Sequence, residues 1–465
     1  VYKGSDSYRT ERTIGVFGNL ALAYKSMLYL NVTGRNDLVS TMPRDNRSFF
    51  YPSVSLGWIF TEMDLFKNDI LTYGKLRSSY AEVGQAGDYY ASYYSTPVYG
   101  GGFSSGTPIL YPINGVVAYT PYATVYDPSL KPQNTVSYEF GADLTFLKGL
   151  VNLSYTYSRQ NVKDQIFEVP LASSTGSSKL VTNGGSIHTN SHEVTLGVNP
   201  IKTKNFKWDF AFNFSKIDNY VDKLAPGVNS IFLGGFTEPQ VRAGIGDKFP
   251  VIYGVSYLRN DAGQIVVDAD GMPQSGEEKV IGTVSPDFRL GFNTSFTVFK
   301  FRLSALFDWK NGGQMYSGTA GLLDYYGKSK RSGEYRKSDS FLFEKPAVKV
   351  TGTDANGKQT YATNDIKISG ADAQTYFSNL NNISESMIYD NSFIKMREIS
   401  LNYPVVDKKG LKVNLNVFAR NIIVWSEMKG LDPESTQGNN NMSGAFERFS
   451  LPGAASYGFG LNLNF

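Results

Sequence analysis

The chain has 465 residues, with 45 Lys and Arg against 42 Asp and Glu, two histidines and no cysteine. A net charge of +3 is too close to neutrality to argue for a nucleic-acid partner, and the missing cysteines exclude a disulfide framework and thiolate metal sites. No apolar run approaches the ~18 residues of a membrane helix, which leaves open a span built from alternating strands, whose mean hydropathy is low.

The 31 Tyr, 31 Phe and 46 Gly suit strands and interfacial girdles better than helices. The chain opens on Val1, without Met or a signal-like stretch, as a processed or truncated piece would. After a polar start, Ile14, Val16, Leu20, Leu22 and Tyr24 alternate with Gly15, Asn19, Ala21 and Ala23, which predicts a strand. A turn at Lys25–Ser26 leads into Leu28, Leu30 and Val32. A third strand covers residues 50–60, with Val54, Leu56 and Trp58 on one face, and a fourth covers about 75–83. A Tyr/Gly/Pro-rich connection, about 84–132, follows. Val136 to Phe146 and Val151 to Tyr157 form a hairpin about Lys148–Gly149. The next strand passes through Val194, Leu196 and Val198. Phe206, Trp208, Phe210, Phe212 and Phe214 then share one strand face, opposite Lys207, Asp209 and Asn213.

Residues 218–285 read as a loop with one short strand near 249–257. Phe288 to Val298 and Phe301 to Trp309 make a further hairpin. A charged connection, about 311–391, precedes a strand from Ile394 to Tyr403, whose apolar face changes parity between Met396 and Ile399 and so predicts a bulge. Leu411 to Val417, a loop at about 425–454, and a closing strand S-Y-G-F-G-L-N-L-N-F (Ser456 to Phe465) complete the chain.

These runs are longer than the ~5–6 residues usual in globular sheets. Their apolar faces avoid charge, and short turns alternate with long loops throughout. Outer-membrane barrels have these properties: lipid-facing apolar residues, a polar interior, short periplasmic turns and long external loops. The expected fold is therefore all-β, a transmembrane antiparallel β-barrel with about 13 strands in this chain. An odd count with the last strand descending to the periplasm predicts that earlier strands belong to the complete barrel.

Several segments then resemble the SusC/RagA-type TonB-dependent outer-membrane transporters of Bacteroidetes. They are P-S-V-S-L-G-W (Pro52 to Trp58), K-L-R-S-S-Y (Lys75 to Tyr80) with Gly84, Gly282 with Pro286-Asp287-Phe288, and D-W-K-N-G-G (Asp308 to Gly313). F-I-K-M-R-E-I-S-L-N-Y (Phe393 to Tyr403), A-R-N (Ala419 to Asn421) and the segment from Leu451 to Phe465 complete the series, which runs in family order. After Asn36-Asp37 the chain has Leu38-Val39-Ser40 where the family often continues with Gly-Ser-Ser. The resemblance implies a barrel of about 22 strands around an N-terminal plug, of which this chain supplies the later part. It also implies a SusD-like surface lipoprotein as lid, energy from TonB–ExbB–ExbD through the plug, and Phe465 as the barrel-assembly signal. Dimers of transporter–lipoprotein pairs and import of oligosaccharides or oligopeptides across the outer membrane belong to the same expectation.

No enzyme chemistry is expected, and no cofactor or metal. The only histidines, His188 and His192, read as structural or solvated. Asp268-Ala-Asp270-Gly271 is spaced like the start of a calcium loop but continues Met272-Pro273, which breaks the pattern. Gly100-Gly101-Gly102 opens no helix, so it does not cradle phosphate. The candidate substrate-binding residues are Tyr89, Tyr90, Tyr93, Tyr94, Tyr99 and Tyr111, whose rings stack on sugars or peptide side chains and whose hydroxyls hydrogen-bond. Packing beneath their loop, or contact with a lid protein, is the alternative role and the commoner one for such residues. Residues 328–345 read as a solvated or partner-facing charged surface. A passive porin, a surface adhesin and a soluble carbohydrate-binding domain are the competing functions. Residence in the soluble fraction, or apolar rows meeting in a dry core, would favour the last.

Overall fold

A computed structural model describes residues 10–87, 94–95, 99–102, 108–110, 112–117, 120–121, 123–408, 410–438 and 444–465. Thirteen long strands follow one another in sheet order. They are β1 (Thr13–Tyr24), β2 (Leu28–Val39), β3 (Ser48–Ile59), β4 (Leu71–Gln85), β5 (Gln133–Phe146), β6 (Val151–Lys163) and β7 (Gly185–Lys202). The others are β8 (Phe206–Leu224), β9 (Phe288–Val298), β10 (Phe301–Asn311), β11 (Phe393–Lys408), β12 (Leu411–Ser426) and β13 (Ser456–Asn464). All thirteen expected strands are present, several longer than the sequence pattern marked. The chain divides into two compact units: residues 1–143, 156–190 and 220–229, and residues 144–155, 191–219 and 230–465.

In the first unit, β1 to β4 pair antiparallel as a meander. Lys25 and Ser26 both adopt left-handed backbone (φ 49° and 54°) in the three-residue turn Lys25–Met27, which the Met27 N–H closes on the Tyr24 carbonyl (2.9 Å). Leu20, Val32, Val54 and Tyr80 stand in register on one face. On the other, the Asn19 amide donates to Asn31 Oδ1 (2.7 Å) and Thr33 Oγ1 (3.0 Å). At the far end of β2 a small dry cluster gathers Val39, Met42, Leu130 and Val181.

The second unit shows the same division at greater length. Trp208, Phe296, Leu303, Leu401, Val417 and Phe459 form one unbroken apolar row across six strands, β8 to β13. The adjacent row on the opposite face reads Lys207, Thr297, Arg302, Asn402, Asn416 and Gly460. Leu401, Val417 and Phe459 are 40%, 47% and 82% exposed, so the apolar row does not close on a protein core. Aromatic rings on this face stack across strands, Phe212 on Phe292 at 4.7 Å and Phe301 on Tyr403 at 4.5 Å. The expected parity change in β11 is a bulge: Phe307 pairs with Met396 and Leu306 with Glu398, leaving Arg397 as the extra residue. The bulge keeps Met396 and Ile399 on the apolar side while Lys395, Arg397 and Glu398 stay polar.

Between β8 and β9 the chain is not the loop expected from its Gly and Asp clusters. β8 itself continues to Leu224, and a four-stranded sheet follows, from Ser230–Gly235, Gln240–Gly244, Val251–Tyr257 and Ser275–Thr283. Ile265–Val267 pairs parallel with Ala347–Thr353, which joins this connection to the next. That next connection carries α1 (Gly318–Tyr325), α2 (Lys330–Lys337) and α3 (Ala373–Asn381). Ser317 and Ser329 cap the first two, each accepting an N–H from three residues on. The dry core of the unit lies here, with Tyr257, Phe341, Phe343, Tyr376, Phe377, Leu380 and Met387 buried together. Each such side chain contributes about 1.5–3 kcal/mol of burial.

Candidate functional site

Charge clusters mark the polar face in both units. In the first unit, Arg77 on β4 donates to Asp143 Oδ2 (2.8 Å), Glu139 Oε1 (3.2 Å) and Thr156 Oγ1 (3.0 Å). Its guanidinium lies 2.7 Å from where a Cβ on Gly141 would stand, so only glycine lets it rest flat between the two carboxylates.

In the second unit, Lys395 is almost fully buried and reaches Asp432 Oδ1 and Glu434 Oε2, both at 2.7 Å. Arg397, freed by the bulge, donates to Glu434 (2.6 Å) on one side and Asp308 of β10 on the other. Burial opposes ionisation of Glu434, but hydrogen bonds from Arg397 and Lys395 outweigh it and push its pKa down to about 2. Asp432 is lowered in the same way: Lys395 and the N–H groups of Gly453 and Glu434 overcome the effect of burial. Asp432-Pro433-Glu434 is thereby fastened to the strand wall, beside a cavity of about 430 Å³ lined by Asn421, Thr436 and Ser450 as well.

The same connection fixes its neighbours. Phe446 is buried against Val241, Ile252 and Val284, and its strand pairs parallel with Tyr316–Ser317. Glu447 accepts from Ser317 and Thr319 hydroxyls, both at 2.6 Å. Arg259 meets Glu385 in a two-pronged pair (2.8 and 2.6 Å). Burial works to keep Glu385 protonated, yet the Arg259 bond prevails and holds its carboxyl below the usual range.

Residues 328–345 are not simply a solvated surface. Arg331 is clamped by Asp324 and Glu344 and lies over Phe377, and Tyr335 stacks on Phe341 at 4.4 Å. The charged pattern hid a helix whose inner side packs.

Of the tyrosine candidates, Tyr89, Tyr90, Tyr93 and Tyr111 lie outside the described residues. Tyr94 pairs through its backbone with Pro121, and Tyr99 with Leu110. His188 contacts Asp222 (2.7 Å) and stacks on Tyr220, and His192 bonds the Tyr155 hydroxyl (2.9 Å). Asp268 Oδ1 accepts the N–H groups of Asp270 and Met272, an Asx turn. Phe465 follows the end of β13 and is exposed. The charge clusters were missed in sequence. Their signal was Lys and Arg two apart in K-M-R with D-P-E some 35 residues on, a pairing that only the fold discloses.

The profile of the TonB-dependent receptor-like β-barrel matches residues 2–418. The chain belongs to that family. TonB-dependent receptor P3 of Formosa agariphila is 26% identical to it over 99% of this chain and 46% of the relative. The receptor SusC of Bacteroides thetaiotaomicron is 24% identical over 99% and 44%. A solved structure described as the RagAB peptide transporter superposes with a TM-score of 0.72 at 17% identity, covering 98% of this chain and 48% of that one. The chain thus spans less than half the length of these relatives. As a TonB-dependent receptor barrel it resides in the outer membrane of a Gram-negative cell, and its exposed apolar rows meet acyl chains there. It is not an enzyme family.

Proposed function

We propose that this chain forms wall and mouth of an active importer of nutrient oligomers, oligosaccharide or oligopeptide. The polar face lines the channel, and the long connections form the extracellular vestibule that receives cargo. On this reading the thirteen strands are the later part of a larger barrel. A plug belonging to the rest of the protein couples it to TonB–ExbB–ExbD, and a SusD-like lipoprotein closes the mouth. The observation that carries the proposal is the apolar row from Trp208 to Phe459, in register across six strands and exposed from Leu303 onward, backed on the other face by a row of polar residues that ends at Gly460. The vestibule reading rests on the folded connections, which present polar pockets and a dry core instead of a mobile fringe.

Uptake in the native host is expected to stop when TonB is deleted, and affinity purification from outer membranes to recover a SusD-like lipoprotein. Uptake that survives loss of TonB would sink the active-import reading. Mass spectrometry of material co-purified with the full-length protein identifies the cargo class.

A further inference from the structure

Arg289 on β9 and Lys310 on β10 stand directly opposite each other on the polar face. Like charges in that position repel. Lys310 is 6% exposed, where an unpaired ammonium is costly. Arg77, Lys207, Lys395 and Arg397 on the same kind of face each hold a carboxylate. Among the described residues, Arg289 and Lys310 make neither an ion pair nor a side-chain hydrogen bond. The charged groups facing Lys310 are Arg289, Asp390 and Glu434. Asp390 is turned onto Ser392, accepting from its N–H and hydroxyl, and Glu434 is taken by Lys395 and Arg397.

The end of Lys310 lies over Gly313, its Cε 3.4 Å from where a Cβ there would stand. The Gly313 carbonyl accepts the N–H of Asn391 (2.9 Å), whose side chain is fully buried with Oδ1 unpartnered among the described residues. This corner therefore gathers two cations with no carboxylate of their own; the spare Asn391 Oδ1 is an acceptor and offers an anion nothing, so the attraction for one comes from Arg289 and Lys310. The corner sits where β9 and β10 meet the long connections, Arg289 being second in its strand and Lys310 last but one.

We infer that Arg289 and Lys310 form a subsite for an oxyanion, a carboxylate or sulfate, carried by the imported molecule. Arg289 offers the planar fork that matches either group, and Lys310 a point charge behind it. The inference rests on the import reading, since only a channel brings cargo past this face.

The test uses the full-length receptor in detergent and follows acetylation of Lys310 by mass spectrometry, with sodium sulfate or acetate compared against sodium chloride at matched ionic strength. Sulfate and acetate should slow the reaction on the order of tenfold, as one charge-assisted hydrogen bond would. Arg289→Gln should remove that protection, and Lys395, already paired, should not respond. Equal protection by chloride, or none by any anion, overturns the subsite. So does a Lys310 that is inert before any anion is added, which would assign the corner to a carboxylate of the protein's own remaining segments. Uptake that persists without TonB, together with intact anion protection, would sink active import and leave the subsite standing.

Discussion

Arg77 shows how much a single side chain on the polar face is made to do. It neutralises two carboxylates, Glu139 and Asp143, that lie four residues apart along the neighbouring strand. Arg77→Ala should lower stability in urea unfolding by about 1–3 kcal/mol, since it strands two partly buried acids. Adding Glu139→Gln and Asp143→Asn should restore much of it, because the cost lies in the uncompensated charges and not in lost packing. Glu434 makes a second prediction at this scale. Its pKa is depressed, so its contribution is whole above the ordinary value of 4.5 and disappears as pH falls through about 2. A fluorophore at Thr436 should report release of the 425–454 connection within that window. Arg397→Gln should move the midpoint upward, towards 4.5.

Strands were the most legible elements, because a period of two persists through long runs such as Phe206 to Phe214. The bulge in β11 was legible for the same reason, as a break in that period. Deleting Arg397 should leave Met396 and Ile399 two residues apart and so in step without a bulge, and the strand should still form, read as retention of the heat-modifiable band on gels. Arg397→Ala should keep the band and free only the connection. The apolar row gives a matched pair of substitutions. Leu401→Arg should cost ~2–4 kcal/mol if it meets the bilayer midplane, whereas Asn416→Arg, beside the open space at Gly460, should cost less than about 1 kcal/mol. Equal losses from the two would contradict the assignment of faces. Apart from the strand expected near 249–257, which is Val251–Tyr257, the helices and small sheets in the long connections were not legible. Their stretches are short, their Gly and Asp content is that of turns, and their stability comes from partners over a hundred residues away, as with Arg259 and Glu385. The charge clusters were hidden for the same reason.

At the scale of the whole molecule, the connections are joined to each other as firmly as to the strands. Phe446 and Glu447, from the connection before β13, complete the core and hydrogen bonding of two earlier connections. On the import reading, this bears on attempts to change the cargo. Grafting one outer segment from a relative would leave Val241 and Ile252 facing a foreign surface and Ser317 and Thr319 without an acceptor. A chimera should fold only when the segments between β8 and β9, β10 and β11, and β12 and β13 travel together. On the import reading, a new cargo would then be acquired through exchange of a three-part cassette, and seldom by altering one loop at a time.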